Sequence, residues 1–109
     1  MNTVKLKTEC GDIVGLDNGS YVEFRGIKYA DAGRWEYPVV TNRWDGVYDA
    51  TVFGDCCYQH RGFEDDAKVN PFYHREFRRG MSFTYSEDCQ YLNISAQKNA
   101  KKCPVLLYI

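Results

Sequence analysis

This sequence has no apolar stretch long enough to cross a bilayer. Its longest such run, VLLYI at Val105–Ile109, has five residues, against roughly twenty for a membrane helix. Charge of one sign is also missing. Fourteen Lys and Arg stand against 15 Asp and Glu, so nothing electrostatic points to a nucleic acid or an anionic membrane as partner. The opening MNTVKLKTEC lacks the apolar centre of a secretory signal. The expected location is therefore cytoplasmic, with secretion left open by the case of a leader already removed. Cysteine is sparse and odd in number, at five. That excludes a disulfide-built miniprotein and leaves at least one free thiol. No internal repeat or low-complexity linker divides the chain, and its 109 residues allow one domain at most.

Paired C-x2-C knuckles are absent too. Cys56, Cys57 and His60, with Cys89 or His74, would be the nearest zinc set, but adjacent cysteines serve one zinc poorly. No metal and no cofactor is expected. A cysteine nucleophile with His60 or His74 as base finds no supporting spacing. The acid pairs Asp65-Asp66 and Glu87-Asp88 point to opposite faces if extended, so neither pair flanks one glycosidic bond. The sequon at Asn93 falls in a strand expected to be buried and reads as coincidence.

Aromatic residues, in contrast, are plentiful: nine Tyr, six Phe and two Trp mark a chain that packs. TVKLKTEC alternates Val4 and Leu6 against Lys5, Lys7 and Glu9, a half-buried strand. A turn at Gly11-Asp12, a strand through IVGL, a hairpin signal at Asn18-Gly19 and a third strand, YVEFRGIKY, complete a meander. Apolar parity switches from Val22 and Phe24 to Ile27 and Tyr29 across Gly26, which predicts a bulge there. From Ala30 to Gly54 the pattern predicts mostly loop, with one short strand in WDGVYDATVFG and with Trp35 and Trp44 packed into the core.

NPFYHREFRRG carries helix signals: Asn70 to cap, Pro71 at the first position, Tyr73 and Phe77 on one face, arginines near the end and Gly80 to close. YLNIS predicts a strand with Leu92 and Ile94 inward. PVLLYI is continuously apolar, the pattern of a strand covered on both faces. Such a strand needs neighbours that these residues do not supply, so further sequence is expected to complete the sheet.

EDCQYLNI, at Glu87–Ile94, resembles the second signature of the type-B carboxylesterases, a group that includes para-nitrobenzyl esterases, mammalian carboxylesterases and cholinesterases. Gln90 stands where leucine is usual. TECGDIVGL, FRGIKYA, RWEYPV, WDGVYDATVFGDCCYQ and PVLLYI resemble other family segments in the family's order. Lys28 replaces a usual proline, and the spacer before Arg34 is short. The resemblance covers nearly the whole chain. It implies an α/β class: residues 1–109 as the N-terminal portion of an α/β-hydrolase fold, comprising a β-meander, a disulfide-type loop with a short helix and the first strands of the mixed sheet. The nucleophile's G-x-S-x-G does not occur here, so the catalytic part is expected beyond residue 109, and no catalytic residue is assigned within this chain.

The resemblance implies more about particular residues. It pairs Cys57 with Cys89, as a disulfide where the compartment oxidises and as neighbouring thiols where it does not. It makes Arg34 and Glu87 a buried structural ion pair. In cholinesterase-like members the loop between the cysteines borders the substrate entrance, which would involve Phe72, Tyr73 and Phe77. An amphipathic helix packing its aromatic side on the body is the plainer reading, and the favoured one. Cys10 and Cys103 read as ordinary small core or surface residues. The implied partners are the remainder of the hydrolase domain and, for the full-length protein, a small-molecule ester. The alternative is a self-contained β-rich module that binds a protein or peptide without catalysis.

Overall fold

The computed structural model describes residues 2–59, 71–77, 80 and 82–109. The chain divides into two units, residues 1–54 with 90–109, and residues 55–89.

In the first unit, β1 (Asn2–Thr8) and β2 (Gly11–Asp17) pair antiparallel over their whole length. Thr8 tightens their turn, its hydroxyl donating to Gly11 O at 2.7 Å and accepting from Cys10 N–H. The Asn18-Gly19 turn leads into β3 (Tyr21–Lys28), with Asp17 Oδ1 accepting from Gly19 N–H at 3.0 Å. The second hairpin turns where Asn18-Gly19 predicts it, whereas the first turns at Glu9-Cys10, and the Gly11-Asp12 pair expected to form that turn instead opens β2.

β2 and β3 stay paired only at Leu16↔Glu23 and Asp17↔Val22. Past that point they part, and β6 (Val47–Asp49) runs parallel to β2 at Asp12–Val14. Ala50, which is fully buried, stitches the gap. Its N–H donates to Val14 O, and its carbonyl accepts from Arg25 N–H, each at 2.8 Å. Asp49 then ends the strand by accepting from both the N–H and the hydroxyl of Thr51. The small Ala50 side chain is what lets three backbones converge.

β7 (Tyr91–Gln97) pairs antiparallel with β3 on the far side, giving the path β1-β2-β3-β7. The register slips between Phe24 and Ile27, where β3 carries the extra residue. Gly26, at φ 63°, takes the left-handed conformation that this bulge requires. A separate two-stranded ribbon joins β4 (Ala30–Asp31) to β5 (Val39–Val40).

The core is small. Ile13, Phe24 and Ala50 form it, with Val4, Val22, Ile27, Trp44 and Tyr48 packed around them. Phe24 lies so close over Gly15 that a side chain there would meet its ring within 2.5 Å. Trp44 is anchored as expected: its indole N–H donates to Asp12 O at 2.7 Å, and its ring sits 5.0 Å from Tyr48. Trp35 is not. It is 97% exposed, in a turn closed by Glu36 N–H donating to Gly33 O, at φ 66°. That turn holds the indole outward, which corrects the expectation of a second buried tryptophan.

The VLLYI segment lacks the neighbours that its pattern calls for, as the sequence predicts. No strand pairs with it among the described residues, and Val105, Leu106 and Tyr108 are each 93% exposed. A strand designed for cover on both faces gains nothing from forming alone, because its ladder groups bond equally well to water.

In the second unit, Cys56 and Tyr85 form a parallel bridge, with Cys56 N–H donating to Thr84 O and Ser86 N–H to Cys56 O. The helix Pro71–Phe77 starts at the proline, as the sequence predicts, and Tyr73 meets Phe77 at 5.3 Å between ring centres. Gly80, at φ 74°, follows it. Asn70, expected as its cap, and Arg78 and Arg79 lie outside the described residues, as do His60 and Asp65-Asp66. No helix among the described residues is long and apolar enough to cross a membrane.

Candidate functional site

Cys57 and Cys89 are joined by a disulfide, with their Cα atoms 5.0 Å apart and a sequence separation of 32. The bond lies beside the Cys56–Tyr85 bridge, where Tyr58 also stacks on Tyr85 with ring centres 6.1 Å apart. Adjacent to Cys89, Asp88 N–H donates to the Ser86 hydroxyl oxygen, which shapes the entry into EDCQYLNI. The opening of the signature is thus a clasp: a covalent link, two bridge hydrogen bonds and one stacked ring pair.

Of the three remaining cysteines, Cys10 and Cys56 are half-buried thiols and Cys103 is exposed. Among the described residues, no three His, Cys, Asp or Glu side chains cluster to hold a metal ion. Phe72 and Phe77 are exposed, and the Arg75 guanidinium lies 5.5 Å from the Phe72 ring centre. Arg34 lies in the first unit and Glu87 in the second, and each makes interactions of its own. Gln90, in the family's leucine position, keeps its Oε1 buried without a hydrogen-bond partner among the described residues.

Sequence reasoning missed one apolar surface feature. One face of the sheet forms an apolar trough of about 680 Å³, walled by Val4, Leu6, Phe24, Ile27, Leu92 and Ile94. Its signal was present in the parity of each strand: Val4 and Leu6 in β1, Val22 and Phe24 in β3, and Leu92 and Ile94 in β7 share one side. Ile94 faces as predicted but is 46% exposed, because the described residues leave that side of the sheet uncovered.

Carboxylates mark the polar borders of the sheet. Lys98 Nζ lies 2.6 Å from Asp17 Oδ2. That ammonium, with the Gly19 N–H, holds the Asp17 carboxyl below its ordinary value. Lys5 does the same for Asp12 from 2.8 Å, and the Thr51 hydroxyl and N–H do so for Asp49.

Comparison with known proteins follows these features closely. The model of the carboxylesterase family matches residues 2–109. Acetylcholinesterase of Bungarus fasciatus is 34% identical over 120 aligned residues, which cover 97% of this chain and 18% of that protein. Para-nitrobenzyl esterase of Bacillus subtilis is 29% identical, over 95% of this chain and 20% of the relative. A solved PNB esterase superposes with a TM-score of 0.60 at 26% identity, over 85% of this chain and 18% of that one. A thermophilic PNB esterase gives 0.58 at 28%. The chain therefore spans about a fifth of the length of these relatives. It belongs to the carboxylesterase family and corresponds to an N-terminal portion of the α/β-hydrolase fold.

Proposed function

We propose that this chain is the framework segment of a carboxylic ester hydrolase whose Ser-His-Asp/Glu triad lies in sequence beyond residue 109. The observation that carries this reading is a family match running from residue 2 to residue 109 across a stretch that holds no G-x-S-x-G. In the complete protein a serine attacks the ester carbonyl, a histidine moves the proton and backbone amides hold the oxyanion. The segment itself supplies the sheet border and the Cys57–Cys89 clasp, and contributes no reacting group. Its partners are the remainder of the hydrolase domain and, for the complete protein, a small-molecule ester.

The same reading assigns Arg34 and Glu87 to a structural ion pair in the complete domain. The charge-swapped double variant should then recover stability that either single change loses. It also gives Phe72, Tyr73 and Phe77 a place at the substrate entrance. Phe72→Ala and Phe77→Ala in the complete enzyme should raise KM for bulky esters while leaving kcat for para-nitrophenyl acetate unchanged.

The direct test compares the 109-residue chain with the complete protein on para-nitrophenyl acetate. Turnover by the complete protein, with a fluorophosphonate probe labelling a serine beyond residue 109 and no turnover by the chain, is the expected result. Turnover by the chain alone, or an inert complete protein, overturns the reading.

A further inference from the structure

We propose that Asn18 is a self-modification site, at which the Gly19 backbone nitrogen closes on the Asn18 side-chain carbonyl carbon and expels ammonia while the Asp17 carboxylate accepts the amide proton. Of the asparagines in the chain, only Asn18 precedes glycine. Asn18, Gly19 and Ser20 are exposed, so water reaches the turn. Among the described residues, nothing lies within 4 Å of where a side chain on Gly19 would begin. A larger residue would crowd the closing ring, whereas glycine, here at φ 89°, leaves it room. The turn and its hydrogen bonds come from neighbouring residues of the β2–β3 hairpin, so they do not depend on what completes the sheet.

A peptide nitrogen is a poor nucleophile because its lone pair is shared with the adjoining carbonyl, and its proton must leave as the new bond forms. Here that proton already has an acceptor. Gly19 N–H donates to Asp17 Oδ1 at 3.0 Å, within the reach that a general base needs. Lys98 Nζ holds the other oxygen, Oδ2, at 2.6 Å, which fixes the carboxylate and leaves Oδ1 to the amide. The same ammonium and N–H keep Asp17 ionised throughout the neutral and mildly acid range. Asn18 Nδ2, the departing group, donates to Glu23 Oε2 at 3.4 Å, and Arg25 pairs with that same carboxylate oxygen. Asp17, Glu23, Arg25 and Lys98 are thus the charged side chains that bracket the turn.

The bond from Gly19 N to Asn18 Cγ forms and the Cγ–Nδ2 bond breaks. The proton passes through Asp17 to the departing ammonia, and a succinimide remains. Water then opens either ring carbonyl, giving aspartate or isoaspartate at position 18, and nothing is oxidised or reduced. Either product sets a carboxylate where Nδ2 met Glu23, and isoaspartate also lengthens the backbone of the turn. The hairpin therefore weakens as the protein ages.

The experiment incubates the complete folded protein from pH 5 to pH 8 and digests it with trypsin. The peptide Thr8–Arg25 holds no other asparagine and no glutamine, so its amide-to-acid mass gain reports Asn18 alone, and chromatography separates the isoaspartate form. Both acid products are expected. Their rate should fall much less steeply than the about tenfold per pH unit that hydroxide alone would impose. Asp17→Asn keeps an oxygen facing Gly19 but no base, so it should slow the reaction at least threefold at pH 6 and restore the steep slope. Lys98→Met removes the ion pair and keeps the carboxylate, so it should not slow the reaction. An Asn18 amide that persists overturns the proposal, as does a tenfold slope in the unmutated protein. So does an Asp17→Asn protein that reacts as fast as the unmutated one, or equal slowing by Lys98→Met, which would assign the effect to hairpin stability. Should Asp17→Asn not fold, the slope of the unmutated protein decides.

Discussion

Asn93 Oδ1 accepts a hydrogen bond from the backbone N–H of Gly26 at 2.8 Å, across 67 positions of sequence. The bulge in β3 turns that N–H out of the ladder, and the asparagine on β7 receives it. Asn93→Ala should therefore cost about 1–3 kcal/mol, the usual consequence of leaving a partly buried donor unpaired. Asn93→Asp, which keeps an acceptor, should cost less. The midpoint of urea unfolding at constant m-value measures both, and equal midpoints for Asn93→Ala and the unmodified chain would remove the bond from any structural role.

Tyr48 holds the same bulge from another side. Its hydroxyl donates to Gly26 O at 2.8 Å and accepts from Lys28 N–H at 3.1 Å. Tyr48→Phe removes both bonds without changing the ring that packs on Trp44, and about 1–2 kcal/mol of stability should go with them. Since Asn93 and Tyr48 grip the N–H and the carbonyl of one residue, Gly26, the double variant should lose less than the sum of the two singles. Additive losses in a double-mutant cycle would show that the two grips act independently.

The meander was legible because its information is local. Alternation sets faces, Asn18-Gly19 sets a turn, and the parity break at Gly26 sets the bulge. The family was legible because its motifs occur in order, although Gln90 and Lys28 depart from them. What stayed hidden depends on partners distant in sequence. The use of Asn93 appears only once β7 lies beside β3, so a sequon dismissed as chance turned out to hold a structural acceptor. The convergence of β2, β3 and β6 on Ala50 is likewise a tertiary fact. Trp35 misled because hydrophobicity argues for burial, whereas the conformation of its turn decided its exposure. VLLYI was legible in the other direction: its pattern specifies cover on two faces that these residues do not supply, and it lies exposed.

The Cys57–Cys89 bond closes a loop 32 positions long. In the chain-entropy account a closure of that length stabilises by roughly 3–4 kcal/mol. Reduction, or Cys57→Ser, should lower the unfolding midpoint accordingly, and loosen residues 55–89 before the sheet. Thiol counting in denaturant provides the control. Purified unreduced protein should show the three free cysteines, Cys10, Cys56 and Cys103, and reduced protein all five. Expression in a reducing cytoplasm favours the open form and secretion the closed one. Five thiols after oxidative refolding would rule the bond out.

Acid should weaken the sheet border in a way that one lysine controls. Asp17 ends β2 and Lys98 follows β7 directly, with 2.6 Å between their charged atoms. The Lys98 ammonium and the Gly19 N–H hold the folded Asp17 carboxyl below the 3.8 of a free one. A carboxylate depressed by folding stabilises fully above its unfolded value, and that contribution fades as pH falls through the lower folded value. Asp12 beside Lys5 and Asp49 beside Thr51 act in the same direction. Lys98→Met should therefore lower the unfolding midpoint slightly at neutral pH, where Asp17 is ionised in both states. The two proteins should converge as pH falls through the lowered folded value of Asp17, where it takes up its proton and has no charge for Lys98 to hold. Because the pair is solvent-exposed, added salt should narrow the neutral-pH difference as well. Unfolding midpoints measured from neutral to strongly acid pH test this directly, and a difference that stays constant throughout would show that Lys98 acts through packing rather than charge.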